Sequence, residues 1–498
     1  MSSEASHVGS TPGLPEDQPS RREAGGEVRY PAVVWVLAAI GIVGAFHLAR
    51  LGGTCTVCAL LHLSGLLFLR KLPSSRWAFY VTLLVGVGMY APPLAFFYGL
   101  FGPPAIVLWL LLAIWPATFV VLVRWIEKSK GRTLALIVAP FLWTCLEYIR
   151  CEVWWLRFSW LSVGSLLEHL GPFAWQTFGV YGLGTLAMGG AALAQGIAQR
   201  NSSWWTFQII PIWLALLLGM RQIPMNHPIS SRPPLRFAAV QLEFPGFPEL
   251  LEALNRVAVE KPDAELVLLP EYALDGPVPE SLREWCRRHR KWLVVGGKEP
   301  MDSTRYFNTA YVLGTNGATV FQQAKSRPIQ LFKDGQPANS QQVWDSPWGK
   351  LGIAICYDAS YRQVMDELLR QGAAAFLVLS MDVEDWGKTE HLLNAQQARL
   401  RCLESDMPMV RVGSSGISQW ISATGKELAT AEFPGPGAIL SGAMEIPDSP
   451  GTRPWDSWFA PLCAIAGVGL GAVQVFRSLL RSIKSFIFRS YLMAKPLF

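Results

Sequence analysis

Apolar runs of about 20 residues occupy most of the chain between residues 31 and 220. A helix needs about 20 apolar residues to cross the hydrocarbon core of a bilayer. Seven runs approach or exceed that length, and an eighth lies near the C-terminus; they cover residues 31–49, 54–69, 77–100, 104–123, 133–149, 172–198, 204–220 and 455–476. Only 16% of the 498 residues are charged, against roughly 25% in soluble domains. The pattern therefore predicts a polytopic α-helical membrane domain.

Lysine and arginine are distributed unevenly around these runs. If the N-terminus is cytoplasmic, sixteen basic residues flank the spans on the inside, and three (Arg50, Arg150 and Arg157) lie in short outside loops. Cytoplasmic loops carry an excess of such residues, so the N-terminus is expected inside. The long segment before the last run then lies outside. The net charge of +6 comes with neither a glycine-rich phosphate loop nor a basic-aromatic groove, and we expect no nucleic-acid partner.

The chain divides by composition into five parts. We expect a disordered arm at 1–29, a membrane domain of about seven helices at 30–221, a soluble domain at 235–447, a final transmembrane helix at 455–476 and a basic cytoplasmic tail at 477–498. Within the soluble part, strand-like runs such as Leu235–Leu242 alternate with helical spacing such as Pro248–Lys261. That alternation predicts a sheet covered by helices.

Three reactive side chains each stand at the end of a strand-like run in the soluble part. Cys356 ends Leu-Gly-Ile-Ala-Ile-Cys, Glu271 ends Leu-Val-Leu-Leu-Pro-Glu, and Lys325 ends Gln-Gln-Ala-Lys. A thiol, a carboxylate and an ammonium are the parts of a nucleophilic acyl-transfer site. Taken singly they are more typical of an inert buried thiol, a loop carboxylate and a surface lysine. Their joint occurrence favours a catalytic site, with Glu271 as base, Lys325 and the Tyr357 backbone N–H as oxyanion donors.

The remaining cysteines and histidines predict neither a metal site nor a cofactor. Eight cysteines show no repeated paired spacing, and seven histidines show no ligand spacing. One exception is Cys55-Thr-Val-Cys58 with His62, whose spacing is typical of a redox pair or a metal site. Packing of small residues in a helix is the favoured interpretation of this segment. Cys402 is expected to pack on a helix.

These motifs, in this order, resemble the nitrilase superfamily of carbon–nitrogen hydrolases. The resemblance implies an α-β-β-α sandwich and a Glu–Lys–Cys triad at Glu271, Lys325 and Cys356. It also implies that Asn308 supports the site.

The position of this domain between about seven membrane spans and one closing span resembles one family within that superfamily, the apolipoprotein N-acyltransferases. Two membrane segments also resemble that family: Leu146-Glu-Tyr-Ile-Arg150 and Phe158-Ser-Trp-Leu-Ser-Val-Gly164. That resemblance implies a phospholipid acyl donor, a diacylglyceryl-modified apolipoprotein as acceptor, and a thioester on the cysteine. It also implies a multi-pass protein of the bacterial inner membrane with a periplasmic catalytic domain, which we expect to be a monomer. Aromatic residues in the loop from Cys151 to Gly171 fit either an interfacial belt or a lipid-facing entrance.

Four positions depart from the family pattern. Asp358 replaces the glutamate two residues after the cysteine, Lys333 stands where a second supporting glutamate is usual, with Asp334 beside it, and Met381 and Ser165 replace other usual residues. Asp358 and Asp334 are the carboxylates that we expect to support the site. Three alternatives follow: a membrane-tethered amidase or nitrilase that uses water, a catalytically weakened binding module, and a transporter. The transporter is disfavoured because few ionisable residues lie within the runs, and the main one, Glu147, is spaced to pair with Arg150.

Overall fold

The computed structural model describes residues 30–51, 56–197, 204–223, 230–330, 332–431, 433 and 437–471. The predicted arm at 1–29 and tail at 477–498 lie outside the described residues, as do Cys55 and the last five residues of the predicted closing span.

Helices account for nearly all of the N-terminal half. They are α1 (Ala32–Arg50), α2 (Thr56–Phe68), α3 (Ser75–Tyr90), α4 (Phe96–Phe101), α5 (Pro104–Lys130), α6 (Arg132–Tyr148), α7 (Pro172–Ile197) and α8 (Trp204–Gly219). Residues 456–471 form a further helix, here called the closing helix. Within the described chain, four helices are long and apolar enough to cross a membrane: α1, α5, α6 with its continuation to Val153, and α7. Helices α2, α3 and α8 coincide with predicted runs but are shorter.

The third predicted span is not one continuous helix. Helix α3 ends at Tyr90, and α4 begins only at Phe96. Pro92 and Pro93 lie between them, and a proline lacks the N–H and clashes with the preceding turn. The expectation of an unbroken helix over 77–100 was therefore wrong. A single proline does not have this effect in α5, which continues through Pro116.

Two six-stranded sheets form the centre of the C-terminal domain. The first has the order β12-β1-β2-β3-β4-β5 and the second β11-β10-β9-β8-β7-β6. The strands are β1 (Leu235–Val240), β2 (Leu266–Leu268), β3 (Trp292–Pro300), β4 (Tyr306–Leu313), β5 (Thr319–Ala324), β6 (Val343–Ser346), β7 (Gly349–Ile355), β8 (Ala375–Ser380), β9 (Met409–Gly413), β10 (Gln419–Ile421), β11 (Glu427–Thr430) and β12 (Ile439–Met444). Parallel pairs join β1, β2 and β3, and likewise β7, β8 and β9.

The two sheets and the helices that cover them form four layers. In β1, Phe237 and Ala239 belong to the same apolar core as Ile353 and Ile355 of the other sheet. Their neighbour Ala238 belongs to a second core beneath α9 (Phe247–Glu260) and α10 (Glu280–His289). Helices α11 (Arg362–Arg370) and α12 (Lys388–Ser405) contribute apolar residues to the first core. Successive side chains on a strand point to opposite faces, so both faces of the first sheet are buried. The predicted α-β-β-α sandwich is confirmed.

The sandwich packs against the loops that were predicted to lie outside. The Tyr361 hydroxyl donates to the Arg157 carbonyl at 2.9 Å, and the Trp160 indole N–H donates to the Ser360 hydroxyl at 3.0 Å. Arg50, at the end of α1, shares a cleft with Thr389 of α12. These contacts place the C-terminal domain beside the aromatic loop that follows α6.

Candidate active site

Cys356 lies directly after β7, where the chain turns sharply. Its φ of +50° is in the left-handed region, which costs an L-residue roughly 1–2 kcal/mol. Strain of this kind persists only where the surrounding structure enforces it, and such positions cluster at functional sites. The side chain is 2% exposed, and its Sγ lies 3.9 Å from the Met381 carbonyl oxygen. The turn thus fixes the thiol at the edge of the second sheet.

Glu271 and Lys325 meet although 54 residues separate them. The Lys325 Nζ donates to Glu271 Oε1 at 2.8 Å, and both side chains are fully buried. Asn308 of β4 donates to the same carboxylate oxygen at 2.6 Å. The other oxygen, Oε2, accepts from the Met381 backbone N–H at 2.7 Å. Met381 therefore contacts both the carboxylate and the thiol, which brings the first-sheet residues and Cys356 to one place.

Asp334 is the second carboxylate of this group. Its Oδ2 lies 2.7 Å from Lys325 Nζ, and its Oδ1 accepts from Asn308 at 3.0 Å and from the Tyr272 hydroxyl at 2.9 Å. Lys333 contributes only its backbone carbonyl, which accepts from the Tyr306 hydroxyl at 2.7 Å. A carboxylate is thus present beside Lys325, one residue further along the chain than the family pattern places it.

Asp358 does not face the thiol but holds the loop that follows Lys325. Its oxygens accept from the backbone N–H groups of Ser326 at 3.0 Å and Arg327 at 2.7 Å. Burial raises the pKa of Asp358 to about 6, and the Lys325 charge and these N–H groups oppose that rise. These hydrogen bonds fix the two residues that follow Lys325. Tyr357 belongs to the first turn of the short helix Cys356–Ser360, where N–H groups have no partner within the helix.

Burial and charge set the protonation of the three groups. Burial raises the pKa of Cys356 well above its usual range, Glu271 raises it further, and Lys325 lowers it. Burial also raises the pKa of Glu271, Lys325 lowers it, and Asp334 raises it again. Burial alone would lower the pKa of Lys325, but Asp334 and Glu271 raise it well above the usual value. The resting site therefore holds a neutral thiol and a permanent cation.

An apolar cleft leads from the membrane helices to Cys356. It contains about 720 Å³ of empty space, and its walls include Phe96, Phe97, Leu100, Phe101, Leu108, Leu156, Phe158, Trp160, Phe332, Tyr357 and Trp386. Phe158 and Trp160 belong to the aromatic loop, and both are buried. Of the two interpretations of that loop, the entrance fits these two side chains, whereas Trp155 is exposed as a belt residue would be.

A second cleft reaches the other side of the site and is more polar. It encloses about 1010 Å³, and its walls include Tyr272, Lys298, Tyr306, Lys333, Asp334 and Met381. The two clefts share Ile329 and Phe332, so the reactive groups lie between an apolar and a polar opening.

No cluster of three or more His, Cys, Asp or Glu side chains with metal-binding geometry occurs in the described part of the chain. The Nδ1 atom of His62 lies 3.0 Å from the Ile42 carbonyl oxygen, and the side chain is fully buried. Cys402 is buried on α12, as expected for a packing residue. Glu147, the ionisable residue singled out within a span, accepts from the Val163 N–H at 2.7 Å and lies 3.9 Å from Arg150.

Several known proteins are similar to this chain. The carbon-nitrogen hydrolase family profile matches residues 217–439. The apolipoprotein N-acyltransferase of Geobacter metallireducens is 23% identical over 365 residues, which cover 63% of this chain and 69% of that protein. The chain is a relative of the apolipoprotein N-acyltransferases. The enzyme of the same name from Haemophilus ducreyi is 23% identical over 377 residues, covering 65% and 73% of the two chains.

The solved structure of a carbon-nitrogen hydrolase from Helicobacter pylori G27 also matches, at 16% identity and a TM-score of 0.38. The match covers 42% of this chain and 89% of that one. The N-acyltransferase matches cover 63% and 65% of this chain, so they extend beyond the residues 217–439 that the family profile matches.

Two contributors to the site were missed by sequence reasoning. Tyr272 was not singled out, although it directly follows Glu271. Met381 was noted only as a departure, yet its backbone serves both Glu271 and Cys356. A backbone contact of this kind is independent of the side chain, so it leaves no signature in the residue type. The substitution at 381 is therefore compatible with the geometry of the site.

Proposed function

We propose that this chain transfers an acyl chain from a phospholipid to the N-terminal amine of a diacylglyceryl-modified lipoprotein. The observation that carries the proposal is the apolar cleft that begins among membrane helices α4 and α5 and ends at Cys356. A thiol at the end of such a cleft is suited to an ester on a long acyl chain. The names of the relatives supply the class of reaction, acyl transfer to an amine.

In the first half-reaction Glu271 removes the thiol proton, and Sγ of Cys356 attacks the ester carbonyl carbon. Lys325 and the Tyr357 N–H stabilise the negative charge on the carbonyl oxygen. The ester C–O bond breaks, Glu271 returns the proton to the leaving alkoxide, and a lysophospholipid departs. Division into two steps through a thioester makes each step easier.

In the second half-reaction the acceptor amine attacks the thioester carbonyl. Glu271 takes a proton from the amine, the C–S bond breaks, and the proton returns to the sulfur. The raised pKa of Cys356 favours this recovery of the neutral thiol. We further propose that the domain faces the periplasm from the bacterial inner membrane and that the protein acts as a monomer. The position of the domain beside the loops predicted to lie outside supports that orientation.

Mass analysis of Cys356 after incubation with phospholipid tests the proposal. We expect a thioester-linked acyl group on Cys356 in the purified protein and none in Cys356→Ser. Wild-type protein that carries no adduct, with a lysophospholipid equally absent, would contradict the acyl-enzyme.

A second candidate is a hydrolase that transfers the acyl group to water. The polar cleft beside Asp334 favours it, because water reaches the carboxylate side of the site through that opening. Incubation with phospholipid and an amine-bearing lipopeptide decides between the two. The N-acyltransferase yields acylated lipopeptide, and the hydrolase yields free fatty acid at the same rate with or without lipopeptide.

A further inference from the structure

One carboxyl group interrupts the apolar wall of the cleft at the end where Cys356 lies. Glu390, at the start of α12, lines the cleft together with Cys356, Tyr357 and Asn394. Its side chain is only 3% exposed, and its Oε2 has no hydrogen-bond partner among the residues that the structure describes. A buried polar group of this kind costs free energy until a partner binds it.

Glu390 has one cation within ion-pair distance in the described chain, His391, and that ring is charged only when it is protonated. Arg411 forms an ion pair with Asp382, and Asn394 donates to Asp382 at 2.7 Å, so both are committed elsewhere. His391 Nδ1 lies 3.0 Å from Glu390 Oε2 but outside hydrogen-bond geometry. The pKa of Glu390 is raised to about 7, chiefly by burial and also by Asp382, against the lowering effects of His391 and Arg411.

We propose that Glu390 binds the ammonium group of the acyl acceptor next to the thioester on Cys356. The inference rests on the proposed function, in which the acceptor is an amine. An α-ammonium group has a pKa of about 8 and is largely charged at neutral pH, and a buried carboxylate is its natural partner. The apolar walls of the cleft would hold the acyl chains of the same molecule. Release of one proton from the bound ammonium to solvent gives the free amine that attacks the thioester. Glu390 is thus a positioning and specificity residue for the second half-reaction.

The ammonium of a phosphatidylethanolamine headgroup has the same chemistry, so the donor used in the test has to lack it. We would form the acyl-enzyme with phosphatidylglycerol in wild-type protein and in Glu390→Gln, which removes the charge and keeps the shape. Each acyl-enzyme is then discharged with a lipopeptide that bears a free amine and, separately, with hydroxylamine, a small nucleophile that is uncharged at neutral pH. Glu384→Gln is the matched control, because it removes an exposed carboxylate six residues away.

We expect Glu390→Gln to form the acyl-enzyme at the wild-type rate and to react normally with hydroxylamine. Its KM for the lipopeptide should rise roughly ten- to a hundredfold, the range for loss of one charge-assisted hydrogen bond. Glu390→Asp, which keeps the charge, should recover part of that loss, and Glu384→Gln should match wild type.

Three results would overturn the assignment: an unchanged KM for the lipopeptide, an equal slowing with hydroxylamine, or, in a parallel acylation with phosphatidylethanolamine, a slowing confined to that donor. The last result would assign Glu390 to the donor headgroup. Absence of any acyl-enzyme in the wild-type protein would instead refute the proposed function itself.

Discussion

Two buried groups of charges lie in this molecule, and they differ in what their carboxylates contact. In the candidate catalytic group, Glu271 and Asp334 share the cation Lys325, and Asn308 donates to both carboxylates. In the group between the two domains, Arg362 of α11 lies 2.9 Å from Glu404, 2.8 Å from Asp366 and 3.4 Å from Asp456. We call these four side chains the interface group. They come from α11, α12 and the closing helix.

Two carboxylates of the interface group accept hydrogen bonds from the backbone of helix α7. Helix α7 breaks at Gly179, whose φ is +65°, and the N–H groups that follow are left without helical partners. Glu404 accepts from the Val180 N–H at 2.7 Å, and Asp456 accepts from the Tyr181 N–H at 2.9 Å. Anions at the N-terminus of a half-helix are stabilised by its dipole. These charges therefore join the sandwich to the membrane helices.

Buried charge serves two purposes in this protein. Carboxylates bound by backbone N–H groups and guanidinium groups hold parts of the chain together. Glu271 keeps a raised pKa beside a thiol, and so it remains available for proton transfer. Substitution in the interface group should change stability, and substitution in the candidate catalytic group should change rate.

Glu271→Gln should have the largest effect. The amide keeps the size of the side chain but cannot accept the thiol proton, so acyl-enzyme formation should fall by roughly 10²- to 10⁴-fold. The melting temperature in detergent should fall only slightly. The amide oxygen still accepts from Asn308, and Asp334 still pairs with Lys325, so only the hydrogen bond from the Met381 N–H is lost. Pre-steady-state acylation kinetics measure the rate. A rate within a factor of two of wild type would remove Glu271 from the chemistry.

Arg362→Met should have the converse effect. Loss of one partner leaves buried carboxylates uncompensated, which costs about 3–5 kcal/mol. The midpoint of thermal inactivation should fall clearly, while the rate of acylation by the protein that remains folded should be unchanged. Arg370→Met, in the same helix, is the control: Arg370 is exposed and pairs only with its helical neighbour Glu367, so its midpoint should match wild type. Equal midpoints for the two variants would abolish the distinction between the groups.

Asp334→Asn should produce the smallest change, a shift in pH dependence. Acylation requires ionised Glu271, so the rate rises with pH through the raised pKa of that carboxyl. Burial is the main cause of the raised pKa and Asp334 adds to it, so removal of the Asp334 charge should move the acidic limb to lower pH. A pH–rate profile measures the shift. Lys333→Ala is the control and should leave the limb in place, and movement of the limb to higher pH in Asp334→Asn would contradict the assignment.

Much of the fold follows from local patterns. The strand β1 begins at Leu235, where its apolar run begins, and the bounds of α9 lie within one residue of the predicted helical segment Pro248–Lys261. Apolar run length and alternation depend on near neighbours, so the printed sequence is enough to locate these elements. The residue types at 271, 325 and 356, with their order at strand ends, were enough to single out the acyl-transfer groups.

Contacts between distant parts of the chain could not be predicted in this way. The sequence singled out Asp334 as a supporting carboxylate but did not show that it pairs with Lys325, because the path of the loop determines which side chain points inward. Likewise, Glu390 reaches the cleft only because α12 packs across the membrane loops. The break in α7 at Gly179 is a further example, because the N–H groups that follow it donate to two carboxylates from other elements. The sequence by itself determined the elements and the reactive residue types. Only the tertiary structure decided which charges became partners, since pairing depends on packing between segments that are remote along the chain.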